Sequence, residues 1–244
     1  MRKEDRIRFS LLKDEPKYLE NILSCEKFLE RIFENNDNRI YVAVSGGKDS
    51  MVMLDLSLKV WTRYPETFFC IWHWDYGENL VPRTFAKEII NNINSLIWRY
   101  SFPSEQFIVD KRFRQRSARE DSVFGYHVFY FTIKKIILKY SFTHALIGLR
   151  KNESSKRMLF LKEKTIHSRK ISNEKKILDC YPLANFSAQE IWTYIVTNNI
   201  PYPSTYDLLA KFRPYEEIRF VTFFDKEFTN INQTDDFFFW REKQ

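Results

Sequence analysis

The sequence predicts an α/β protein built on a doubly wound parallel sheet, with a helical C-terminal elaboration. Three observations carry that expectation. An apolar run, Tyr41 to Val44, stops at Ser45-Gly46-Gly47, and the apolar residues Met51, Leu54, Leu58 and Trp61 then recur at helical spacing. Short apolar runs alternate with helical patterns along the chain, the order expected of a parallel sheet wrapped on both faces. Glycine is scarce, 5 in 244 residues, so Gly46, Gly47, Gly77, Gly125 and Gly148 each mark a place where the backbone needs it.

The elements follow in order. Residues 17–36 read as an amphipathic helix, with Leu19, Ile22, Leu23, Phe28, Leu29 and Ile32 apolar. The first strand spans 39–45. The helix opened by Lys48 ends near Tyr64-Pro65, where proline cannot continue it. A second strand covers 67–74, and Pro82 suits the first position of a helix over 82–98. Phe107–Val109 is a short third strand, and a helix over 125–140 leads to a fourth, Ala145–Ile147. Ser187-Ala-Gln-Glu190 is a capping box that starts a helix with Ile191, Trp192, Ile195 and Val196 inward, stopped by Pro201 and Pro203. The expected organisation is an N-terminal helical segment (1–38), a nucleotide-binding α/β domain (39–204) and an aromatic-rich extension (205–244). In the extension, Phe237-Phe238-Phe239-Trp240 reads as a docking surface or a homodimer contact.

Composition narrows the class. A hydrophobic content of 44% and an aromatic share of 17% are ample for a core. Cys25, Cys70 and Cys180 are few, odd in number and far apart, which fits neither a disulfide framework nor a Cys-x-x-Cys metal or redox motif. The charged N-terminus lacks an apolar signal region, and no apolar stretch approaches membrane-spanning length. The expectation is a soluble, cytoplasmic protein without membrane contact. The formal net charge is +7, and residues 150–176 alone hold ten Lys/Arg against three Glu. Lys111, Arg112, Arg114, Arg116 and Arg119 form a second basic cluster. Both stretches lack periodicity and read as basic loops. They suit an anionic ligand: a phosphorylated nucleotide, a nucleic acid, or a protein acceptor.

The strand–glycine turn–helix at 41–61 carries the chemistry. Such a turn leaves backbone N–H groups at the positive end of a helix dipole, where an anion, phosphate above all, is favoured. Gly46 and Gly47 allow close approach, Lys48 adds a point charge, and the Ser45 and Ser50 hydroxyls can donate. The Gly-x-x-x-x-Gly-Lys-Ser/Thr nucleotide loop does not fit, because Val42 stands at its first glycine and Asp49 follows the lysine. Asp75-Tyr76-Gly77 with Pro82-Arg83-Thr84 lies after the second strand. A carboxylate there can hold a ribose hydroxyl or a metal, or merely cap the turn. After the fourth strand, Gly148 would let backbone lie against a ligand. Arg150 and Arg157 could bracket phosphate or sulfate, and Glu153 could fix one of those arginines. Ligands of open parallel sheets bind at the carboxyl ends of strands, where these residues fall.

Ser45–Ser50 matches the Ser-Gly-Gly-x-Asp-Ser loop of the PP-loop ATP pyrophosphatases without a mismatch. With Asp75–Gly77, Pro82–Thr84, Gly148–Arg157 and the Pro182–Asp207 tail, the chain resembles the phosphoadenosine phosphosulfate (PAPS) reductase family within the adenine-nucleotide α-hydrolase superfamily. The resemblance covers roughly residues 39–207 and implies a Rossmann-like fold. It implies that Ser45, Gly46, Gly47, Lys48, Asp49 and Ser50 bind the phosphate chain of ATP, or of PAPS or APS (adenosine phosphosulfate), with Gly148 alongside. Asp75 would then lie near the sugar, and Arg150 and Arg157 near the anionic group transferred or released. Asp49 and Asp75 are candidates for Mg2+. One departure is informative. Sulfonucleotide reductases carry a C-terminal Glu-Cys-Gly-x-His, and some carry paired cysteines for an iron–sulfur cluster. No cysteine follows Cys180 here, so neither thiol-based reduction nor a cluster is expected.

Three functions compete on these residues. One is an ATP pyrophosphatase or adenylyltransferase in which Lys48, Arg150 and Arg157 stabilise departing pyrophosphate. Another is a sulfonucleotide enzyme that binds PAPS or APS and takes its thiol from a partner. The third is a non-catalytic nucleic-acid-binding accessory using the basic stretches 111–119 and 150–176.

Overall fold

The computed structural model describes residues 1–74, 83–110 and 122–218. A six-stranded sheet has the order β3-β2-β1-β4-β6-β5, from Arg39–Val44 (β1), Phe68–Trp74 (β2), Phe107–Asp110 (β3), His144–Ile147 (β4), Ile166–Lys170 (β5) and Lys176–Cys180 (β6). β1 pairs in parallel with β2 on one side, Val42 opposite Ile71, and with β4 on the other, Val42 opposite Leu146. The helices are Lys3–Ser10 (α1), Pro16–Phe33 (α2), Lys48–Trp61 (α3), Arg83–Arg99 (α4), Ser122–Tyr140 (α5), Ser155–Phe160 (α6), Ala188–Thr197 (α7) and Thr205–Leu209 (α8).

Alternation along β1 divides the core. Ile40, Val42 and Val44 face a large cluster with residues of α2, α3, α4 and α7. Tyr41 faces the opposite cluster, where Trp72 and Trp74 pack with Ile133, Ile136 and Ile137 of α5. Helices therefore cover both faces, as an all-but-parallel sheet requires. Chain order leaves β1 toward β2 and β3, then returns to β4 on its other side. The crevice at the carboxyl ends of β1 and β4 is thus the switch point where such sheets take ligands.

Several expectations need correction. α3 is not buried on one face only: Val52, Met53, Asp55, Leu56 and Ser57 are buried as well as Met51, Leu54 and Leu58. The cause is its central position, packed by α2, α4, α7 and β1. Leu19 and Leu23 face outward on α2, whose core side is Tyr18, Cys25, Leu29, Ile32 and Phe33. Val196 is only half-buried. α1 lies within the expected N-terminal helical segment but had no helix range of its own, because Lys3–Ser10 has no apolar stripe; its one buried residue, Phe9, packs against Trp192 and Tyr215.

The basic stretch 150–176 is not one loop. It holds a 3-10 turn (Lys151–Glu153), α6, β5 and the start of β6. β5 runs antiparallel to β6, so the sheet is mostly rather than wholly parallel. As an edge strand, β5 needs little apolar alternation, and Ile166, Ser168 and Lys170 are exposed. Asp75, Gly77, Pro82, the 111–119 cluster and Phe237–Trp240 lie outside the described residues. Among the described residues, no helix is long and apolar enough to cross a membrane.

Candidate nucleotide site

Residues 45–47 turn the chain from the end of β1 into α3. Gly46 has φ +85°, the left-handed region that side chains disfavour, and a Cβ there would lie 2.6 Å from the Ile89 side chain. Gly47 is extended at φ −71° and ψ 159° and caps α3. Two hydroxyls close the turn on itself. The Gly46 N–H donates to Ser50 Oγ (3.1 Å) and the Gly47 N–H to Ser45 Oγ (3.3 Å). The Ser50 hydroxyl donates to the Gly47 carbonyl (2.9 Å), and the two serine oxygens are 3.0 Å apart. The Lys48 N–H donates to the phenol oxygen of Tyr206 at 3.1 Å.

Lys48 is 1% exposed. Its Nζ donates to the Ile218 carbonyl (2.9 Å), lies 3.4 Å from Asp49 Oδ2, and is 5.7 Å from the Tyr206 ring centre. Burial pulls the ammonium below its ordinary value, with Asp49 opposing. Sequence reasoning expected this charge on a phosphate; in the structure the ammonium lies between the Ile218 carbonyl and Asp49.

Gly148 brings the end of β4 against this loop. A Cβ there would lie 2.9 Å from the Asp49 carbonyl oxygen, so the glycine serves close contact with the α3 backbone, where a ligand had been expected. The next residues form an alternating charge chain. Arg150, 2% exposed, donates from Nε to Asp49 Oδ1 (2.5 Å). Its backbone N–H donates to Glu153 Oε2 (3.0 Å), and Arg157 Nη1 pairs with the same carboxylate. The Lys151 N–H anchors this segment to the Ala184 carbonyl (2.9 Å).

Lys48, Asp49, Arg150, Glu153 and Arg157 thus place three cations around two carboxylates, with one positive charge in excess. Burial works against the Asp49 carboxylate, but Lys48 and Arg150 hold its carboxyl below the ordinary value. Arg150 is likewise raised: burial lowers it, and Asp49 and Glu153 more than compensate. Glu153 therefore fixes both arginines. Of the predicted site residues, the structure brings together Ser45, Gly46, Gly47, Lys48, Asp49, Ser50, Gly148, Arg150 and Arg157; Asp75 is outside the described part.

Both Asp49 oxygens face cations, an arrangement unsuited to a resident Mg2+. Among the described residues, no group of three or more His, Cys, Asp or Glu side chains could hold a metal. Cys25, Cys70 and Cys180 are all buried and free, and burial pushes the Cys180 thiol up to about 12. Tyr206 and Ile218 were not singled out from sequence as loop partners. They lie 158 and 170 residues from Lys48, and no local pattern links them.

Comparison with known proteins agrees with this fold. An uncharacterized protein of Methanocaldococcus jannaschii is 26% identical over 191 residues, which is 74% of this chain and 36% of that protein. The chain thus spans about a third of the curated relative it matches. The crystal structure of Candida glabrata FMN adenylyltransferase in complex with ATP superposes with a TM-score of 0.54 at 17% identity, covering 83% of this chain and 64% of that one. The U34-tRNA thiolase NcsA of Methanococcus maripaludis, with its [4Fe-4S] cluster, gives 0.51 at 14% identity, over 80% and 74%. At such identities the likeness is one of fold, a mostly parallel α/β sheet flanked by helices. The family model described as the phosphoadenosine phosphosulfate reductase domain matches residues 39–218, most of the chain. With its glycine turn and arginine segment meeting at the switch point, the chain belongs to the phosphoadenosine phosphosulfate reductase domain family.

Proposed function

We propose that this chain binds ATP at the carboxyl ends of β1 and β4 and transfers its adenylyl group to an acceptor. An acceptor oxygen would attack the α-phosphorus, a new P–O bond would form, and the bond to the β-phosphate would break with release of pyrophosphate. The carrying observation is the Ser45–Ser50 turn seated against Gly148–Arg157 across the switch point, with one excess positive charge. The ATP complex of the fungal adenylyltransferase, which shares the fold, supports the nucleotide's identity. Mg2+ would arrive on the phosphates. The chain's own contribution would be positioning and charge neutralisation, with Arg157 the least buried of the three cations.

Reduction of a sulfonucleotide by a thiol of this sequence is disfavoured by the burial of all three cysteines. An anionic acceptor is favoured by exposed Lys156, Lys162 and Lys164, on and just after the helix that carries Arg157. A nucleic-acid acceptor would bind with steep salt dependence; a small one would not.

The test is calorimetric titration with ATP, with and without Mg2+, and with phosphoadenosine phosphosulfate, for wild type and Arg157→Ala. The expected result is ATP binding that Arg157→Ala weakens about tenfold, the scale of one charge-assisted hydrogen bond. Preference for the sulfonucleotide would replace the adenylyl reading with sulfonucleotide binding. Binding of neither would remove both.

A further inference from the structure

Three features meet at the first amide of α3. The Lys48 N–H, which belongs to the turn where an anion would be held, donates instead to Tyr206 Oη at 3.1 Å. That oxygen lies over the glycine turn, 3.6 Å from where a Gly47 Cβ would be. The residue carrying this amide also sends its ammonium to the Ile218 carbonyl, so backbone and side chain of Lys48 both hold the 206–218 segment. Tyr206 is 1% exposed, and its ring meets the Trp192 ring edge-on at 5.1 Å. Trp192 in turn donates from Nε1 to the Tyr215 carbonyl (2.8 Å), so one indole touches the segment at Tyr206 and at Tyr215.

We infer that the Tyr206 hydroxyl holds the place of a phosphate oxygen at the turn, and that nucleotide binding displaces it, shifting the 206–218 segment against Trp192. The inference rests on the adenine-nucleotide reading of the site and adds a regulatory contact to it. A neutral phenol is an adequate stand-in, since its oxygen accepts one N–H as a phosphate oxygen does. Burial keeps that phenol protonated at working pH. Phosphate is the stronger acceptor because its charge adds to the hydrogen bond and to the helix dipole. The exchange is therefore favourable once a nucleotide is present, but apparent affinity is reduced by the fraction of molecules in which Tyr206 occupies the amide. The same displacement disturbs the contact between Lys48 Nζ and Ile218, freeing the ammonium to follow the phosphates.

Tyr206→Phe keeps the ring and removes the competing oxygen. ATP should bind this variant about two- to tenfold more tightly than wild type, the range for one net hydrogen bond. In wild type, ATP should shift the tryptophan emission, and Trp192→Phe should abolish that shift while leaving calorimetric binding in place. A Tyr206→Phe variant that binds ATP equally or more weakly overturns the inference, because a purely structural role predicts loss rather than gain. A wild-type emission unmoved by saturating ATP overturns it independently of any variant. Absence of heat and emission change with ATP and phosphoadenosine phosphosulfate in both wild type and Tyr206→Phe would remove the nucleotide reading itself. Binding by the variant alone would support both.

Discussion

At the scale of the residue, adjacent glycines do unlike work. Gly46 stands at φ +85° with the Ile89 side chain where a Cβ would be, whereas Gly47 stands at φ −71° with ordinary contacts at 3.5 and 3.6 Å. Gly46→Ala is expected to cost about 2–4 kcal/mol, combining left-handed strain with a displaced neighbour. Gly47→Ala should cost less than about 1 kcal/mol. Urea unfolding of both variants checks this, and equal losses would contradict the assigned geometry. The need for glycine was legible in sequence, since two glycines followed an apolar run. Which of them required the left-handed backbone was not, because Ile89 is supplied by α4.

At the scale of the element, α3 is held from behind by a buried carboxylate. Asp55, 2% exposed, accepts from Tyr194 of α7 (2.7 Å) and Tyr100 (3.0 Å), with Arg99 of α4 at 3.4 Å. Burial raises its carboxyl above the ordinary 3.8, against the two tyrosines. The folded state therefore binds this proton more tightly than the unfolded chain does. The contribution is fully present below about pH 3.8 and is lost as pH rises through the raised folded value. Asp55→Asn cannot titrate, so its melting temperature should improve relative to wild type between pH 4 and pH 7. A difference between the two proteins that does not vary with pH would refute the shift. Asp49, held low by Lys48 and Arg150, acts with opposite sign: its stabilisation is lost as pH falls below its unfolded value. No periodicity distinguishes Asp55 from a surface residue, because its partners come from other elements.

At the scale of the molecule, the site joins segments distant in sequence: the turn after β1, the segment after β4, and the stretch from Tyr206 to Ile218. Nucleotide binding should therefore stabilise the whole fold and not merely the loop. At free ATP a hundredfold above its dissociation constant, mass action adds about 2.7 kcal/mol. For a chain of this size that raises the melting temperature by about 5–10 °C. A thermal scan with and without ATP and Mg2+ reads it directly. Unchanged melting at saturating ATP would exclude the described fold as the binding form.

The alternation of apolar runs with helical patterns determined the class of fold, because strand and helix periods are local. Ser45–Ser50 and Gly148–Arg157 were legible for the same reason: each is a short run of chain that follows one strand end. Residues 150–176 were misread because an edge strand and a six-residue helix carry little apolar period. Tertiary structure alone decided where charges point. Lys48 is buried against Ile218 and Arg150 against Asp49, since an ion taken out of water must find its partner wherever the chain supplies one.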